Sequence, residues 1–193
     1  MSKNYLVRKY ENNEKCNYGP LVYSVVGQVI NRKTHEIELF ILKCYPESKK
    51  KINSIELSFE ILNPTTNKLT GYVTMSEIFY KHVYIKEQKI ANAMIFHELG
   101  HFINRDVEKK GYSNENRRKA LLDFKVLPEE LKADEFAALE LGYDAIIDGL
   151  KFMRGFRNSC INDRNYELAI REYDLRIEEL NKQLMLKQQF IRG

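Results

Sequence analysis

The sequence is poor in cysteine, and the pattern of its cysteines predicts neither a disulfide framework nor a metal site. Cys16, Cys44 and Cys160 are odd in number, far apart and not part of a Cys-x-x-Cys pair. Disulfide-stabilised domains and cysteine-ligated zinc sites depend on closely spaced, usually paired cysteines. We therefore expect neither, and this cysteine usage is compatible with a cytoplasmic protein.

Long apolar runs are also missing. The longest runs, such as Leu39 to Leu42, fall far short of the roughly 18 residues that a membrane span needs. The first residues, from Met1 onwards, are mixed and polar and lack the apolar stretch of a secretory signal. We therefore expect a cytoplasmic protein without a membrane span.

An excess of charge of one sign is the third absence. The net charge is +4 over 193 residues, and the longest basic run is Lys49 to Lys51. Nucleic-acid-binding domains usually carry a dense basic patch, so we expect no nucleic-acid partner. The length fits one domain, or one domain with an appended arm, and is sufficient to bury a core.

The chain to about residue 87 is predicted to be β-rich. From Ile55 to Ile61, apolar and polar residues alternate, which is typical of a strand with one solvated face. The more continuously apolar residues 36–45 predict a more buried strand. Further strands are predicted at residues 21–30, 72–75 and 83–85, with a turn at residues 63–67.

The second half is predicted to be helical. Residues 88–104 lack proline and repeat apolar residues at helical spacing. Pro128 suits the first turn of a helix that is predicted over residues 128–141. A third helix is predicted over residues 144–153, and the polar residues 109–119 are predicted to form a loop.

The tail has its own pattern. Six apolar residues with spacings of 4, 3, 4, 3 and 4 are typical of the seam of a coiled-coil-like helix. This helix either packs on the body of the same chain or forms a homodimer or partner contact through residues 166–184. The seam consists of Tyr166, Ile170, Tyr173, Ile177, Leu180 and Leu184.

Residues 97–101, His-Glu-Leu-Gly-His, match the pattern His-Glu-x-x-His, although the chain has only four histidines. Residues four apart share one face of a helix, so His97 and His101 can bind one zinc ion. Zinc lowers the pKa of a bound water, and the adjacent Glu98 can take its proton before the hydroxide attacks a carbonyl. The pattern predicts one zinc ion per chain, with Glu98 as the catalytic base.

Zinc needs a third protein ligand besides an open position. The extended metzincin motif is excluded, because Asn104 and Val107 stand where it requires glycine and histidine. The best candidate is Glu130, in the second predicted helix. Asp134, one turn later, is expected to accept a hydrogen bond from a ligand histidine and fix its orientation. The fallback ligands are Asp106, Glu129 and Glu135.

The motif at residues 97–101, followed by Asn104 and Asp106, and the segment Glu-Leu-Lys-Ala-Asp-Glu-Phe-Ala-Ala at residues 130–138 resemble the gluzincin core of the HtpX-like and CAAX prenyl protease family. In that family the residue matching Glu130 binds zinc, and the residue matching Asp134 supports the site. The same segments also resemble the soluble ImmA/IrrE metallopeptidases, which usually have asparagine at the position of Asp134. The resemblance covers about residues 88–153.

This resemblance implies a zincin-like arrangement, in which a sheet lies beside the zinc helix and an edge strand aligns the substrate backbone. Residues 72–75 and 83–86 are the candidates for that strand. A group that stabilises the oxyanion is also expected. The sequence does not select among its candidates, which are Tyr112, Tyr143, Arg154 and Arg157.

We therefore predict an α+β, zincin-like domain over residues 1–163. It has a small N-terminal β-sheet within residues 1–87 and a helical zinc-binding part at residues 88–163. A C-terminal amphipathic helix follows at residues 164–193. The predicted function is that of a zinc-dependent metalloendopeptidase acting on a cytoplasmic protein or peptide substrate. The alternative is a catalytically silent zinc-binding module that recruits a partner through its C-terminal helix.

Overall fold

The protein has a mixed α+β fold, as predicted, in two compact units, Met1–Leu99 and Gly100–Gly193. The boundary between the units lies within one helix. The fold is that of a computed structural model, which describes residues 3–11, 13–18, 21–47, 55–63, 68–160 and 166–192.

The first unit contains a six-stranded mixed sheet of order β1-β3-β4-β6-β5, with β2 also paired to β3. Among the described strands, β4 and β6 are parallel and the other neighbouring pairs are antiparallel. The strands predicted at residues 21–30, 36–45, 55–61 and 72–75 are confirmed, whereas residues 64–67 of the predicted turn lie outside the described residues. The strands are β1 (Tyr5–Lys9), β2 (Cys16–Tyr18), β3 (Leu21–Asn31), β4 (Ile37–Cys44), β5 (Ile55–Asn63) and β6 (Lys68–Met75).

The core of this unit is centred on β4. Leu39, Ile41 and Leu42 of that strand are fully buried. Such a continuously apolar strand is typical of one that is covered on both faces, because a strand with one solvated face would alternate. Residues 36–45 are therefore confirmed as a strand, and the side chains of β4 are mostly buried.

Gly27 in β3 lies at an irregularity in the pairing of β3 with β4. A Cβ atom there would lie 2.5 Å from the Tyr84 hydroxyl and 2.7 Å from the Arg8 carbonyl oxygen. The Tyr84 hydroxyl donates a hydrogen bond to the Val26 carbonyl at 3.0 Å. Only glycine leaves room for this buried contact, which is a common role of glycine inside strands.

The strand predicted at residues 83–85 is wrong. A short helix, α1 (Glu77–Phe79), is capped by the Ser76 side chain and continues as a π-helical turn, Tyr80–Tyr84. Val83 and Tyr84 are buried in this turn, and a short apolar run does not by itself distinguish a buried helix from a strand.

Neither candidate for a substrate-aligning edge strand is supported. Residues 83–86 do not form a strand, and residues 72–75 belong to β6, which lies between β4 and β5. An edge strand must offer unpaired backbone groups, and an interior strand has none to offer.

The remaining helices of the described residues lie mainly in the second unit. The helices predicted at residues 88–104 and 128–141 are confirmed, and the one predicted at residues 144–153 is longer than expected. None of the helices within the described ranges is long and apolar enough to cross a membrane. The helices are α2 (Gln88–Ile103), α3 (Asn114–Leu122), α4 (Pro128–Leu141), α5 (Tyr143–Cys160) and α6 (Tyr166–Arg192), with a 3-10 turn at Asp106–Glu108.

The loop predicted at residues 109–119 is also wrong, because α3 begins within it. The Ser113 hydroxyl caps this helix by accepting a hydrogen bond from the Asn116 backbone N–H at 3.2 Å. Leu121 is the buried residue of this mostly polar helix. Its apolar pattern is therefore too weak for a prediction from periodicity, and the serine cap was the available signal.

The C-terminal helix α6 packs against α3, α4 and α5 of the same chain. Its most buried residues are Ala169, Glu172, Arg176 and Leu180. Leu180 belongs to the predicted apolar seam, whereas the other five seam residues are half-buried. Two charged residues, Glu172 and Arg176, thus lie in the most buried stripe of α6. Their partners are Arg117 of α3 and Asp134 of α4.

Candidate metal centre

Helix α2 carries the two histidines of the motif one turn apart. The His97 and His101 side chains are buried, while Glu98 between them is half-buried. The surrounding residues of α2, such as Ile95 and Leu99, are fully buried and apolar. Imidazoles in such surroundings need polar partners to offset the loss of water.

Glu130 in the first turn of α4 completes the group. Its side chain is buried, and the donor atoms of His97, His101 and Glu130 all lie within 4.8 Å of one another. The distance from His101 Nε2 to Glu130 Oε2 is 3.7 Å. Donors on a four-coordinate ion with bonds of about 2.0–2.1 Å are separated by about 3.4 Å. The donor set could therefore hold one metal ion.

Asp106 orients the second histidine. Its Oδ2 atom lies 2.9 Å from Nδ1 of His101, and both side chains are buried. Arg105, in the left-handed conformation with φ 53°, turns the chain after α2 so that Asp106 faces back towards the helix. A carboxylate on Nδ1 holds the proton there and leaves Nε2 available for a metal ion. Asp106 thus lies beside a candidate ligand rather than among the candidate ligands.

Asp134 has a different partner from the one predicted. The Arg176 guanidinium donates from Nε to Oδ2 at 2.7 Å and from Nη2 to Oδ1 at 2.6 Å. This bidentate pair is buried, and such a fork is the strongest arrangement of an arginine with a carboxylate. A hydrogen bond from a ligand histidine to Asp134 stays a prediction.

Two guanidinium groups flank Glu130. Arg117 Nη1 lies 3.4 Å from Oε1, and Arg176 Nη1 lies 3.5 Å from Oε2. Burial lowers the pKa of each arginine, but the facing carboxylates outweigh it and raise the pKa of both above the usual arginine value. Both groups therefore stay charged and compensate the buried carboxylate of Glu130.

Glu172 of α6 holds the first of these arginines. Its two carboxylate oxygens accept hydrogen bonds from Arg117 at 2.7 and 2.9 Å. Helices α3, α4 and α6 are thereby joined by a set of charged side chains around Glu130, all of which are buried except the half-buried Arg117. The sequence did not predict the roles of Arg117, Glu172 and Arg176, because their contacts join residues that are far apart in the chain. The i, i+4 spacing of Glu172 and Arg176 was the one local signal.

The fallback ligands are less suited to a buried site. Glu129 is half-buried and Glu135 is exposed, whereas Glu130 has no exposed surface. Among the three acidic residues considered on α4 as third ligands, Glu130 is thus the one that lies with the two histidines.

Gly100 allows α4 to approach α2. A Cβ atom on Gly100 would lie 2.9 Å from the Ala133 Cα and 3.0 Å from the Ala133 carbonyl oxygen. Glu130 lies one helical turn before Ala133, and His101 is the residue after Gly100. The glycine of the motif thus sets the spacing between the two helices at the candidate metal centre.

Tyr112 is the oxyanion candidate that lies at this centre. Its hydroxyl is 3.2 Å from Glu130 Oε1 and 3.4 Å from His101 Nε2. Together with Ser113, Asn114 and Arg117, it lines a cavity of about 280 Å³.

The other oxyanion candidates have different surroundings. The Tyr143 hydroxyl donates to Gln183 Oε1 at 3.4 Å, and Arg154 Nε donates to Asp174 Oδ1 at 2.7 Å. The side chain of Arg157 lies outside the described residues. Among the described candidates, Tyr112 is therefore the one with contacts to both His101 and Glu130.

No protein-family model matches this chain, and neither a curated protein nor a solved structure matches it.

Proposed function

We propose that this protein is a zinc-dependent metalloendopeptidase that hydrolyses peptide bonds of a cytoplasmic protein substrate. The observation that carries the proposal is the buried group of His97, His101 and Glu130, with Glu98 next to the first histidine in sequence. Two histidines and one glutamate are a donor set used by catalytic zinc sites in peptidases.

Each residue has a chemical role in this proposal. His97, His101 and Glu130 would hold the ion, and Asp106 would keep the Nε2 lone pair of His101 directed at it. A bound Zn²⁺ supplies Lewis-acid polarisation of a carbonyl and lowers the pKa of water. Glu98 would accept the proton of the attacking water and deliver it to the nitrogen of the leaving amine.

A catalytic role agrees better with this donor set than a structural one. Structural zinc sites are closed by four protein ligands, whereas catalytic sites have three and keep a position for water or substrate. The group found among the described residues has three such donors. A glutamate adjacent to the first histidine has a use in hydrolysis and none in a closed structural site.

The test is a comparison of wild type with Glu98→Gln. Metal content is measured by mass spectrometry, and cleavage is followed as new N-termini in a proteome-derived peptide library. We expect about one zinc per chain in both proteins and cleavage by wild type only, because the amide cannot accept the proton. Removal of a general base lowers the rate by about 10²- to 10⁴-fold.

Glu87→Gln is the matched control, because Glu87 is exposed and immediately precedes α2. This variant should cleave like wild type. Undiminished cleavage by Glu98→Gln, or a wild-type protein that does not bind zinc, would contradict the proposal.

A second candidate is a zinc-binding interaction module without catalysis. One observation favours it: α6 ends in the exposed apolar residues Met185, Leu186 and Phe190, of which Phe190 is 86% exposed. Exposed apolar side chains in a cluster are typical of a contact surface. This function predicts full zinc occupancy and no cleavage in the peptide library, together with a partner held by the end of α6.

A further inference from the structure

The Tyr112 hydroxyl lies beside two of the three candidate ligands, and its ring contacts the His101 ring, with the centroids 5.1 Å apart. Its hydroxyl oxygen lies 3.2 Å from Glu130 Oε1 and 3.4 Å from His101 Nε2. Hydrogen bonds between oxygens are usually about 2.7–2.8 Å long, and a hydroxyl has one proton to donate. The hydroxyl donates to Glu130 Oε1 at 3.2 Å and, having one proton, can donate to only one of the two acceptors at a time.

The same distances match those between ligands of one metal ion. Ligand atoms on a tetrahedral ion with bonds of about 2.0–2.1 Å are separated by about 3.4 Å. The Tyr112 oxygen lies close to that separation from one donor atom of His101 and from one of Glu130. We propose that the Tyr112 hydroxyl is a fourth ligand of the metal in the resting protein and that substrate displaces it.

The surroundings of Tyr112 suit a ligand that can leave. His101 and Glu130 are buried and held on helices, whereas Tyr112 is half-buried on the segment that connects the 3-10 turn to α3. The neighbouring Gly111 is exposed and has no atom within 4 Å of an added Cβ. Connecting segments open at a lower free-energy cost than packed helices do.

The cavity beside Tyr112 provides the entry route. Ser113, Asn114 and Arg117 line it together with Tyr112, and the Arg117 side chain is 36% exposed. A substrate carbonyl that enters there takes the position of the hydroxyl, which moves towards solvent with its segment. The inference rests on the proposed zinc site. His97, His101 and Glu130 remain its three permanent ligands, and Tyr112 fills the fourth position, which catalysis needs, only until substrate binds.

The test uses Cu²⁺, which binds nitrogen and oxygen sites at least as tightly as Zn²⁺. A tyrosine oxygen bound to Cu²⁺, with its proton released to solvent, produces a ligand-to-metal charge-transfer band in the visible spectrum. We expect this band in the copper-loaded wild-type protein and its loss in Tyr112→Phe. Tyr143→Phe is the matched control and should retain the band, because the Tyr143 hydroxyl contacts Gln183.

Displacement is measured with acetohydroxamate, a small metal-binding anion. The band of the wild-type protein should disappear as acetohydroxamate binds. Tyr112→Phe has no ligand to displace and should bind acetohydroxamate more tightly, by about tenfold for each 1.4 kcal/mol of displacement cost removed.

The outcomes separate this inference from the proposed function. One Cu²⁺ per wild-type chain without a tyrosine band overturns the Tyr112 inference and leaves the metal site standing. A wild-type protein that binds neither Cu²⁺ nor Zn²⁺ overturns both. If Tyr112→Phe does not retain copper, the wild-type titration decides, since a band that persists under saturating acetohydroxamate contradicts displacement.

Discussion

Gly100 is the residue at which α2 and α4 come close enough for His101 and Glu130 to share an ion. Gly100→Ala would place a Cβ atom 2.9 Å from the Ala133 Cα, so α4 must move away. Overpacking of this kind costs about 1–3 kcal/mol. Zinc binding requires Glu130 to come back to the histidines against this cost. We therefore expect zinc affinity to fall by about tenfold or more, because each 1.4 kcal/mol corresponds to a factor of ten.

Competition with a fluorescent zinc chelator measures this loss. Gly155→Ala on α5 is the control, because an added Cβ there has no atom within 4 Å. Alanine is favoured over glycine in helices by about 0.5–1 kcal/mol, so this control should be neutral or slightly stabilising. Equal zinc affinity of the two variants would show that Gly100 does not set the helix spacing.

Asp106 is expected to control how tightly His101 binds zinc. Asp106→Asn keeps the shape of the side chain but removes the charge that holds the proton on Nδ1. Loss of such a carboxylate partner typically lowers metal affinity by about 10- to 100-fold. A zinc titration of Asp106→Asn beside Asp144→Asn, an exposed position on α5, measures the effect. Wild-type affinity in Asp106→Asn would be inconsistent with this role.

The sequence predicts the residues of the candidate site that are linked by helical spacing. His97 and His101 are four residues apart, so helical geometry was sufficient to place them on one face of α2. Glu130 lies on another helix, and its selection as the third ligand depended on the residue pattern of its own segment, residues 130–138. Arg176 could not be predicted in this way, because its contact with Asp134 joins residues 42 positions apart.

Whole helices and strands were likewise predicted where their local apolar pattern is strong. Helices and strands with strong apolar patterns, such as α4 and β5, were predicted within a few residues of their ends. The polar helix α3 and the π-helical turn Tyr80–Tyr84 were not predicted. Helix α3 lacks a buried apolar stripe, and the turn contains a short apolar run that resembles a strand in sequence. Hydrophobic periodicity reports how an element packs, and it is weak where packing is slight or the element is short.

Helix α6 contributes buried charge to the second unit, and Arg176 is the residue that tests this contribution. Arg176→Met would leave Asp134 buried without its bidentate partner. Breaking a buried ion pair by removing one member costs about 3–5 kcal/mol. We therefore expect a clear drop in the urea midpoint of unfolding, measured by circular dichroism.

Arg154→Met is a close control. Arg154 also forms a bidentate pair with an aspartate, Asp174 on α6, but both side chains are largely exposed. Exposed pairs contribute about 0–1 kcal/mol, so this variant should unfold near the wild-type midpoint. Similar midpoints for the two variants would indicate that the buried pair does not stabilise the fold.

At the scale of the whole molecule, a bound metal would join residues that are far apart in the chain. Zinc that binds the folded state and not the unfolded one adds about 4 kcal/mol of stability at a free concentration 1,000 times its dissociation constant. For a chain of this length, each 1 kcal/mol raises the melting temperature by about 2–4 °C. We expect a chelator to lower the melting temperature of the zinc-loaded protein by about 10 °C, measured by scanning calorimetry.

Glu130→Gln weakens one ligand and should show a much smaller zinc-dependent shift, whereas Glu135→Gln on the exposed face of α4 should respond like wild type. Equal shifts in Glu130→Gln and wild type would place the stabilising metal elsewhere than at His97, His101 and Glu130.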